Sequence, residues 1–378
     1  MKSSIITLCF ALGLFTATLV SLESATAKSL PLHKLNLPDG FSISVFAEVD
    51  DARQMARSES GVIYVGSRRA GNLYAVVDSD GDYRADKVIT LATDLNLPSG
   101  VTMYGGDLYV GAVDRILKYT GIDESLDNPP EPVVVLDTLP DKRHHGWKFI
   151  DFGPDGFLYI PVGAPCNLCL SENKAFASIH RINLSAENPV LETFAEGVRN
   201  SVGFAWHPVT HELWFTDNGR DLMGDEMPPG ELNHAPKPGS HYGYPFFHAN
   251  DIRDPEFGEG KNADDYTRPE LELDPHVAPL GMIFYTGEQF PAKYKNQILI
   301  AEHGSWNRTP EAGHVGFRIT MAKKLEDGTM NYETIVDGWL QDNKAWGRPV
   351  DILQLPDGSL LISDDHGDVI YRLSYNAG

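Results

Sequence analysis

Two short polar segments of the sequence contain side chains suited to proton transfer and to anion binding. His144 and His145 stand together beside a glycine, just before a predicted strand. A histidine in such a loop can act as a general base near neutral pH. Arg199 and Asn200 stand directly before an apolar run. Histidines in loops are also commonly structural or solvated, and the pattern leaves this alternative open for the pair.

The loop at residues 218–233 is rich in oxygen atoms that could bind a metal. It joins Gly219 and Arg220 to a series of carboxylates that includes Glu231. Ca²⁺ prefers carboxylate and peptide carbonyl oxygens, and the loop also contains a Pro-Pro pair and glycines. We therefore predict a metal site here, with a solvated acidic loop as the alternative.

Residues 78–86 form a second acidic stretch, with aspartates at alternate positions as in a calcium loop. The stretch lacks the glycine at the sixth position and the glutamate at the twelfth that mark an EF-hand loop. We interpret it as a hairpin turn rather than as a metal site.

Two later segments add positive charge and aromatic rings near the ends of predicted strands. His303, Trp306 and Arg308 follow one such strand, and Arg348 precedes another. A guanidinium fork matches a carboxylate in geometry, and a tryptophan face can cover a flat ring. Together with Arg199, these residues indicate a planar, polyanionic ligand; salt bridges between neighbouring structural units are the alternative.

Cys166 and Cys169 form a C-x-x-C pattern directly after a predicted strand. Such a pair can bind zinc, act in redox chemistry or close a small loop as a disulfide. No second pair and no βαβ pattern accompanies it, so we predict a disulfide that shapes a loop, and redox activity stays an alternative.

The N-terminus has the features of a secretory signal peptide: a basic start, an apolar run from Ile5 to Leu22 and the sequence Ala-Thr-Ala ending at Ala27. We predict cleavage after Ala27, which removes Cys9 and leaves residues 28–378 as one periplasmic or secreted domain without a membrane span. A retained membrane anchor is the alternative. The formal net charge of −22 argues against nucleic acid or an anionic membrane as a partner.

A strand pattern recurs along the chain and defines the predicted architecture. Each copy is a Gly, Asp, Asn or His turn followed by an apolar, β-prone run. The copies lie at residues 61–65, 106–110, 156–160, 211–215, 296–300 and 358–362. Such spacing is typical of β-propeller blades, and the long interval between the fourth and fifth copies predicts an insertion.

We therefore predict an all-β fold, a six-bladed β-propeller. Residues 41–46 alternate like a strand but have no blade of their own. We place them beside residues 369–373, so that pairing of N-terminal and C-terminal strands closes the ring. A β-sandwich is the alternative.

Several motifs, in this order, resemble those of the soluble PQQ-dependent glucose dehydrogenases and, more closely, their sorbosone dehydrogenase branch. They are His145 before a Gly-Pro-Asp-Gly turn, Gly-Val-Arg-Asn at 197–200, Asn-Gly-Arg at 218–220, Glu-Leu-Asn at 231–233, His-Tyr-Gly-Tyr-Pro at 241–245 and His-Gly-Ser-Trp-Asn-Arg at 303–308. The resemblance extends from about Leu37 to Leu373. It implies a six-bladed propeller with the cofactor PQQ over its central mouth.

The resemblance also implies roles for single residues. His145 would take the proton from a substrate hydroxyl. The implied cofactor-binding residues, with Arg199 also assigned a catalytic role near the reducible carbonyl, are Arg199, Asn200, His303, Trp306, Arg308 and Arg348. The peptide oxygens of Gly219 and Arg220 would hold a Ca²⁺ that bridges to PQQ. Glu231 and Tyr242 match a second, structural Ca²⁺ site.

The sequence departs from the glucose enzymes at three places. Val202 replaces a glutamine, Val350 stands where a second arginine follows the one matching Arg348, and Asp274 aligns near a tryptophan that covers the cofactor.

The resulting prediction is a PQQ- and Ca²⁺-dependent dehydrogenase of a sugar or aldose-type substrate. It would pass electrons to an external acceptor such as a cytochrome or a quinone. Nucleotide-binding, zincin and serine-hydrolase motifs are absent from the sequence. A calcium-dependent propeller lactonase and a non-catalytic binding propeller are the alternatives.

Overall fold

Short apolar runs bounded by Gly, Asp and Asn turns form the antiparallel sheets of the protein. The computed structural model describes residues 30–376 except residue 326, so the predicted signal peptide and Cys9 lie outside the described residues. The described residues from Leu32 onward belong to one compact unit. Within them, no helix is both long and apolar enough to cross a membrane.

Six sheets, each built on four antiparallel strands, form the blades in the described part of the chain. The first strand, β1 (Phe41–Glu48), belongs to the closing blade. Blades 1 to 3 then follow in chain order. Their strands are β2 (Ala52–Arg57), β3 (Ile63–Ser67), β4 (Leu73–Val77), β5 (Lys87–Ala92); β6 (Gly100–Tyr104), β7 (Asp107–Gly111), β8 (Ile116–Tyr119), β9 (Val133–Leu136); and β10 (Asp151–Phe152), β11 (Leu158–Val162), β12 (Ser178–Ile182), β13 (Leu191–Glu196).

Blades 4 to 6 complete the ring, and blade 4 carries the predicted insertion. Their strands are β14 (Phe204–Trp206), β15 (Leu213–Asp217), β16 (Pro229–Ala235), β20 (Leu271–Pro275); β21 (Pro279–Phe284), β22 (Ile298–Glu302), β23 (Arg318–Lys324), β24 (Met330–Val336); and β27 (Pro349–Gln354), β28 (Leu360–Asp364), β29 (Val369–Tyr375). Between β16 and β20 the chain forms β17 (Ser240–His241), which pairs in parallel with β13, and the hairpin of β18 (Phe247–His248) and β19 (Ile252–Arg253).

The remaining elements are short connections. A second small hairpin, β25 (Leu340–Gln341) with β26 (Lys344–Ala345), precedes blade 6. Four 3-10 helices lie in loops of the described chain: η1 (Leu32–Lys34), η2 (Ile122–Glu124), η3 (Ala263–Asp265) and η4 (Ala292–Tyr294).

The predicted ring closure is confirmed. Strand β1 pairs antiparallel with β29, from Phe41 opposite Tyr375 to Glu48 opposite Val369. Blade 6 therefore contains strands from both ends of the described chain. The six recurring runs of the sequence form the second strand of each blade, as the repeat predicts.

The core lies between neighbouring blades. Strands β3, β11, β15, β22 and β28 are buried along their whole length because they are covered on both faces. Tyr159 of blade 3, for example, packs against Trp206 of blade 4 with ring centroids 5.3 Å apart. Burying a side chain such as Phe215 stabilises the fold by about 1.5–3 kcal/mol. A rigid ring of this kind leaves the loops at the strand ends free to carry chemistry.

The acidic stretch at residues 78–86 is the hairpin turn that we predicted, and it joins β4 to β5. The carboxylates of Asp78, Asp80 and Asp86 lie close enough to one another to hold a metal ion, and they also accept hydrogen bonds within the turn. Asp78 accepts the amides of Gly81 and Tyr83, and Asp86 accepts the amide of Ser79.

Candidate functional site

A cavity of about 430 Å³ opens at the end of the ring where the second strand of each blade ends and the first begins. The side chains around it come from blades 1, 3, 4, 5 and 6. Seven predicted site residues line it: His145, Arg199, Asn200, Gly219, His303, Trp306 and Arg348. Positions far apart in the sequence therefore meet at one mouth, as the propeller prediction requires.

The charge of this wall is strongly positive. Of the residues that line the cavity, five are arginines and one is an aspartate: Arg53, Arg68, Arg69, Arg199, Arg348 and Asp221. The Nε atoms of Arg53 and Arg68 are buried and have no hydrogen-bond partner among the described residues. Because five guanidinium groups and only one carboxylate line the cavity in the described part of the chain, this wall is suited to an anionic ligand.

A hydrogen bond to the backbone holds the His145 ring in one orientation. Its Nδ1 lies 2.9 Å from the carbonyl oxygen of Ala164. A carbonyl can only accept, so Nδ1 carries the proton and Nε2 is the nitrogen that can receive one. The side chain is only 7% exposed. Burial, with the nearby Arg199 and His144, lowers the pKa of His145 well below its usual 6.5, so the imidazole is neutral at pH 7.

The backbone around His145 is specialised for this placement. His145 has a φ of 50°, in the left-handed region. Gly163, at the end of β11, approaches so closely that a Cβ there would lie 2.6 Å from the Cβ of His145 and 3.2 Å from Oδ1 of Asn200. Only glycine at this position lets both side chains reach the mouth.

The carboxylate of Asp217 holds the turn at Arg199 and Asn200 through two hydrogen bonds. Its carboxylate, at the end of β15, accepts the backbone amides of Arg199 at 2.7 Å and of Asn200 at 2.6 Å. Burial raises the pKa of Asp217 to about 6, against the lowering effect of these amides. The turn is therefore set by a side chain on the neighbouring strand rather than by its own sequence.

Arg199 is 3% exposed and uses most of its donors inside the protein. Its guanidinium donates to Asn218 O at 3.1 Å, to two oxygens of Asn167 at 2.9 and 2.8 Å, and to Asp221 Oδ2 at 3.4 Å. A guanidinium has five N–H donors in all. One N–H on Nη1 has no acceptor among the described residues.

His303 and Arg348 form the opposite wall. His303 Nε2 lies 2.6 Å from Asp365, which also pairs with Arg53 at 2.9 Å. Burial lowers the pKa of His303 to about 4, so a neutral ring donates to the carboxylate. Arg348 donates from Nε to the carbonyl oxygen of His303 at 3.0 Å.

Trp306 and Arg308 occupy the rim rather than the interior. Trp306 lines the cavity and is 68% exposed. Arg308 is absent from the lining; its guanidinium donates to Gly313 O at 2.7 Å and pairs with Glu226 at 2.9 Å. Arg308 thus joins two rim loops, a role that its position in the sequence did not suggest.

Arg220, Glu231 and Tyr242 lie behind the lining. The Arg220 guanidinium pairs with Asp254 of the insertion at 2.6 Å. Tyr242 is buried, and its hydroxyl donates to His234 O at 2.6 Å.

Glu231 belongs to a buried group of oxygen atoms on β15 and β16. Its two carboxylate oxygens accept from Ala249 N at 2.7 Å and from Asn233 Nδ2 at 2.9 Å. Glu231 stands opposite Asp217 in the strand register, and burial together with the charge of Asp217 raises the pKa of Glu231 to about 8. Asn233 Oδ1 is buried without a donor among the described residues. These oxygens fit a bound cation.

The predicted disulfide between Cys166 and Cys169 is confirmed. Its loop follows β11 and contacts Arg199 through Asn167.

Sequence reasoning missed the site residues Arg53, Arg68, Arg69, Asn167, Asp217 and Asp221. Arg68 follows the first recurring strand at the position that His303 takes after the fifth, and Arg69 comes next. That equivalence was the available signal for them, whereas the roles of Asn167 and Asp217 depend on contacts between loops.

Sequence comparisons agree with this architecture. The model of the family Glucose / Sorbosone dehydrogenase matches residues 123–305. An uncharacterized protein of Borreliella burgdorferi is 32% identical over 357 residues, covering 90% of this chain and 91% of that protein.

Solved structures share the fold at low sequence identity. A calcium structure of a Trichoderma reesei protein of carbohydrate-active enzyme family AA12 has a TM-score of 0.78 and 18% identity, covering 90% of this chain and 97% of that one. The holo form of the PQQ domain of pyranose dehydrogenase from Coprinopsis cinerea has a TM-score of 0.73 and 15% identity, with coverage of 90% and 97%. The chain belongs to the glucose/sorbosone dehydrogenase family.

Proposed function

We propose that this protein is a PQQ- and Ca²⁺-dependent dehydrogenase that oxidises a sugar or another aldose-type substrate at the propeller mouth. The family supports the general activity, a sugar dehydrogenase with a small-molecule substrate. One observation carries the proposal: His145, a neutral imidazole with Nε2 free, lines a cavity whose wall is rich in arginine.

The cavity suits a flat, anionic cofactor in size and charge. Ligand pockets measure about 300–1,000 Å³, and this one measures about 430 Å³. PQQ is planar and carries several carboxylates. A ligand carboxylate would pair with the guanidinium groups of Arg53 and Arg68, which line the cavity. Since Val350 replaces a family arginine, these blade 1 residues supply positive charge in its place.

Other residues would hold the cofactor by direct contact. Arg199 retains one N–H for a ligand, and Asn200 lies beside it in the cavity wall. Arg348 and His303 would meet the opposite side, while the exposed ring of Trp306 would cover a flat face. Arg308 would act on this group indirectly, through the rim loops that it joins.

Two positions would hold Ca²⁺. The peptide oxygens of Gly219 and Arg220 would bind an ion next to the cofactor; Gly219 lines the cavity. Glu231 and Asp217 would bind a structural ion together with Asn233 Oδ1, which accepts no hydrogen bond among the described residues. Ca²⁺ prefers carboxylate and amide oxygens of this kind. Tyr242 is assigned to this second position by the family motif alone.

The residues of this chain divide the reaction between them. His145 would accept the proton of the substrate hydroxyl at Nε2, since Nδ1 is bound to Ala164. Bound PQQ would supply the acceptor for the hydride, which leaves the substrate carbon that bears this hydroxyl. Arg199 would stabilise negative charge on the ligand, and its burial strengthens this electrostatic effect.

A calcium-dependent lactonase needs side-chain carboxylates from several blades on the propeller axis. Asp221 is the only carboxylate among the described residues that line the cavity. This lining favours the dehydrogenase over the hydrolase.

The proposal includes export to the periplasm or medium and electron transfer to an external acceptor such as a cytochrome or a quinone. Both rest on the sequence features of the N-terminus and on the family, whose redox cofactor must be reoxidised.

The test is reconstitution. Purified apo-protein is loaded with PQQ and Ca²⁺, and the reduction of an artificial dye is followed with a panel of aldoses and sugar alcohols. We expect sugar-dependent dye reduction that requires PQQ. Absence of PQQ binding, or hydrolysis of lactones in place of dye reduction, would refute the proposal.

A further inference from the structure

The loop closed by the Cys166–Cys169 disulfide contacts Arg199, one of the residues proposed to bind the cofactor. Asn167 is located between Cys166 and Cys169, and both of its oxygens face Arg199. Its peptide oxygen accepts from Arg199 Nε at 2.9 Å, and its Oδ1 accepts from Arg199 Nη2 at 2.8 Å. One edge of the guanidinium, the side that carries Nε and Nη2, is thus held by one residue.

The same side chain also holds the turn that follows β15. Oδ1 of Asn167 accepts the backbone amide of Asp221 at 2.8 Å, and Nδ2 donates to the Asp221 carbonyl at 3.0 Å. An amide side chain that donates and accepts on one backbone unit fixes that unit in both position and orientation. Asp221 in turn accepts from Arg199 at 3.4 Å and from Asn307 of the rim at 2.6 Å.

The loop is itself anchored from two sides. The backbone amide of Cys169 donates to the Tyr244 hydroxyl at 3.0 Å, and this hydroxyl donates to Asn167 O at 3.4 Å. On the other side, Ala164 donates its amide to Arg199 O at 2.8 Å and accepts from His145. The disulfide limits how far the segment between these anchors can move.

We propose that Asn167, held in place by the Cys166–Cys169 disulfide, is a positioning residue that orients Arg199 and the Asp221 turn for ligand binding. The effect on cofactor binding rests on the proposed function. The ordering of the turn does not, because it concerns contacts within the protein alone. The disulfide therefore has a structural task next to the site and needs no redox role.

The first test uses the ligand-free protein. Hydrogen–deuterium exchange is measured at the Asp221 amide in wild type and in Asn167→Ala. Loss of the Oδ1 acceptor should accelerate exchange by about fivefold or more. The amides of Arg199 and Asn200, bound to Asp217, should keep their wild-type rates.

Two further variants keep this test decisive if Asn167→Ala folds poorly. Asn167→Asp retains an oxygen acceptor and should restore most of the protection at Asp221. Asn173→Ala, an exposed asparagine of the same loop that serves only a local turn, should change nothing. Wild-type exchange at Asp221 in Asn167→Ala would overturn the proposal, whether or not the protein binds PQQ.

The second test measures PQQ binding through the quenching of tryptophan fluorescence. Asn167→Ala should weaken binding about tenfold or more. The Cys166→Ser/Cys169→Ser variant should do the same, and combining the changes should add little, since both act through one contact. Fully additive losses would show that the disulfide does not act through Asn167. If the wild-type protein does not bind PQQ, the proposed function is refuted. The hydrogen–deuterium exchange at the Asp221 amide still decides whether Asn167 orders the turn.

Discussion

His145 donates its Nδ1 proton to the carbonyl oxygen of Ala164 across 2.9 Å. Because this bond fixes the tautomer, Nε2 is the unprotonated nitrogen. Ala164 also donates its amide to Arg199 O at 2.8 Å, so His145, the proposed base, and Arg199 are positioned by the same residue. The chemistry of the site depends on this short segment after β11.

The first prediction concerns pH. The pKa of His145 is lowered well below 6.5 by burial and by Arg199, so the neutral base persists as the pH falls below that value. The acid limb of kcat/KM should therefore lie below pH 6.5, since this limb reports the pKa of the essential base in the free enzyme. The measurement is a pH profile of dye reduction. An acid limb above 6.5 would mean that another group, or a charged His145, controls the rate.

A second prediction concerns the close approach at Gly163. The Cβ added by Gly163→Ala would lie 2.6 Å from the His145 Cβ, so the histidine must move. Displacement of a catalytic group by about 1 Å can cost about 100-fold in rate. We expect kcat to fall at least tenfold, on the scale of about 1.4 kcal/mol, while the thermal unfolding transition stays cooperative. Unchanged kcat in a folded variant would contradict the assignment of His145.

The positive wall supports a third prediction. Arg68→Gln removes a guanidinium whose buried Nε lacks a partner among the described residues. Charge-assisted hydrogen bonds contribute about 1.5–3 kcal/mol, so the PQQ dissociation constant should rise about tenfold or more. Arg84→Gln, at an exposed turn of the same blade, is the matched control. An equal effect of both variants would indicate a general loss of positive charge rather than a binding contact.

Calcium should stabilise the fold even without PQQ. Saturating a site at about 100 times its dissociation constant adds about 2.7 kcal/mol to the free energy of unfolding. Glu231→Gln should abolish this gain, because the buried carboxylate opposite Asp217 is lost. Chemical denaturation in the presence of Ca²⁺ or of a chelator measures this gain in the free energy of unfolding. The control is Asp264→Asn, which changes an exposed carboxylate on η3. A full Ca²⁺ effect in Glu231→Gln would place the ion elsewhere.

Much of the fold is encoded locally, and the sequence predicted that part. The recurring runs, the turn at residues 78–86 and the disulfide each follow from short-range patterns. The ring closure by β1 was predicted because residues 41–46 alternate like a strand and have no blade of their own. The site was predicted only where single motifs carry it, as at His145 and Arg199. Arg68 and Asn167 were missed because their roles depend on contacts between loops of separate blades, which no single motif shows.

Arg308 illustrates a limit of a different kind. Its sequence position near Trp306 favoured a cofactor contact, yet its guanidinium binds the 225–226 and 312–313 rim segments. A sequence motif can predict that a residue lies near the propeller mouth. The direction of its side chain depends on the conformation of the loop, which the motif does not determine.

Turnover of the reconstituted holo-protein, wild type against His145→Ala, tests the central claim most directly. Dye reduction is measured at saturating PQQ, Ca²⁺ and sugar, with His33→Ala, an exposed histidine on η1, as the control. General base catalysis contributes about 100- to 10,000-fold, so kcat should fall by that factor in His145→Ala alone, while PQQ still binds. Equal turnover of wild type and His145→Ala would contradict the account.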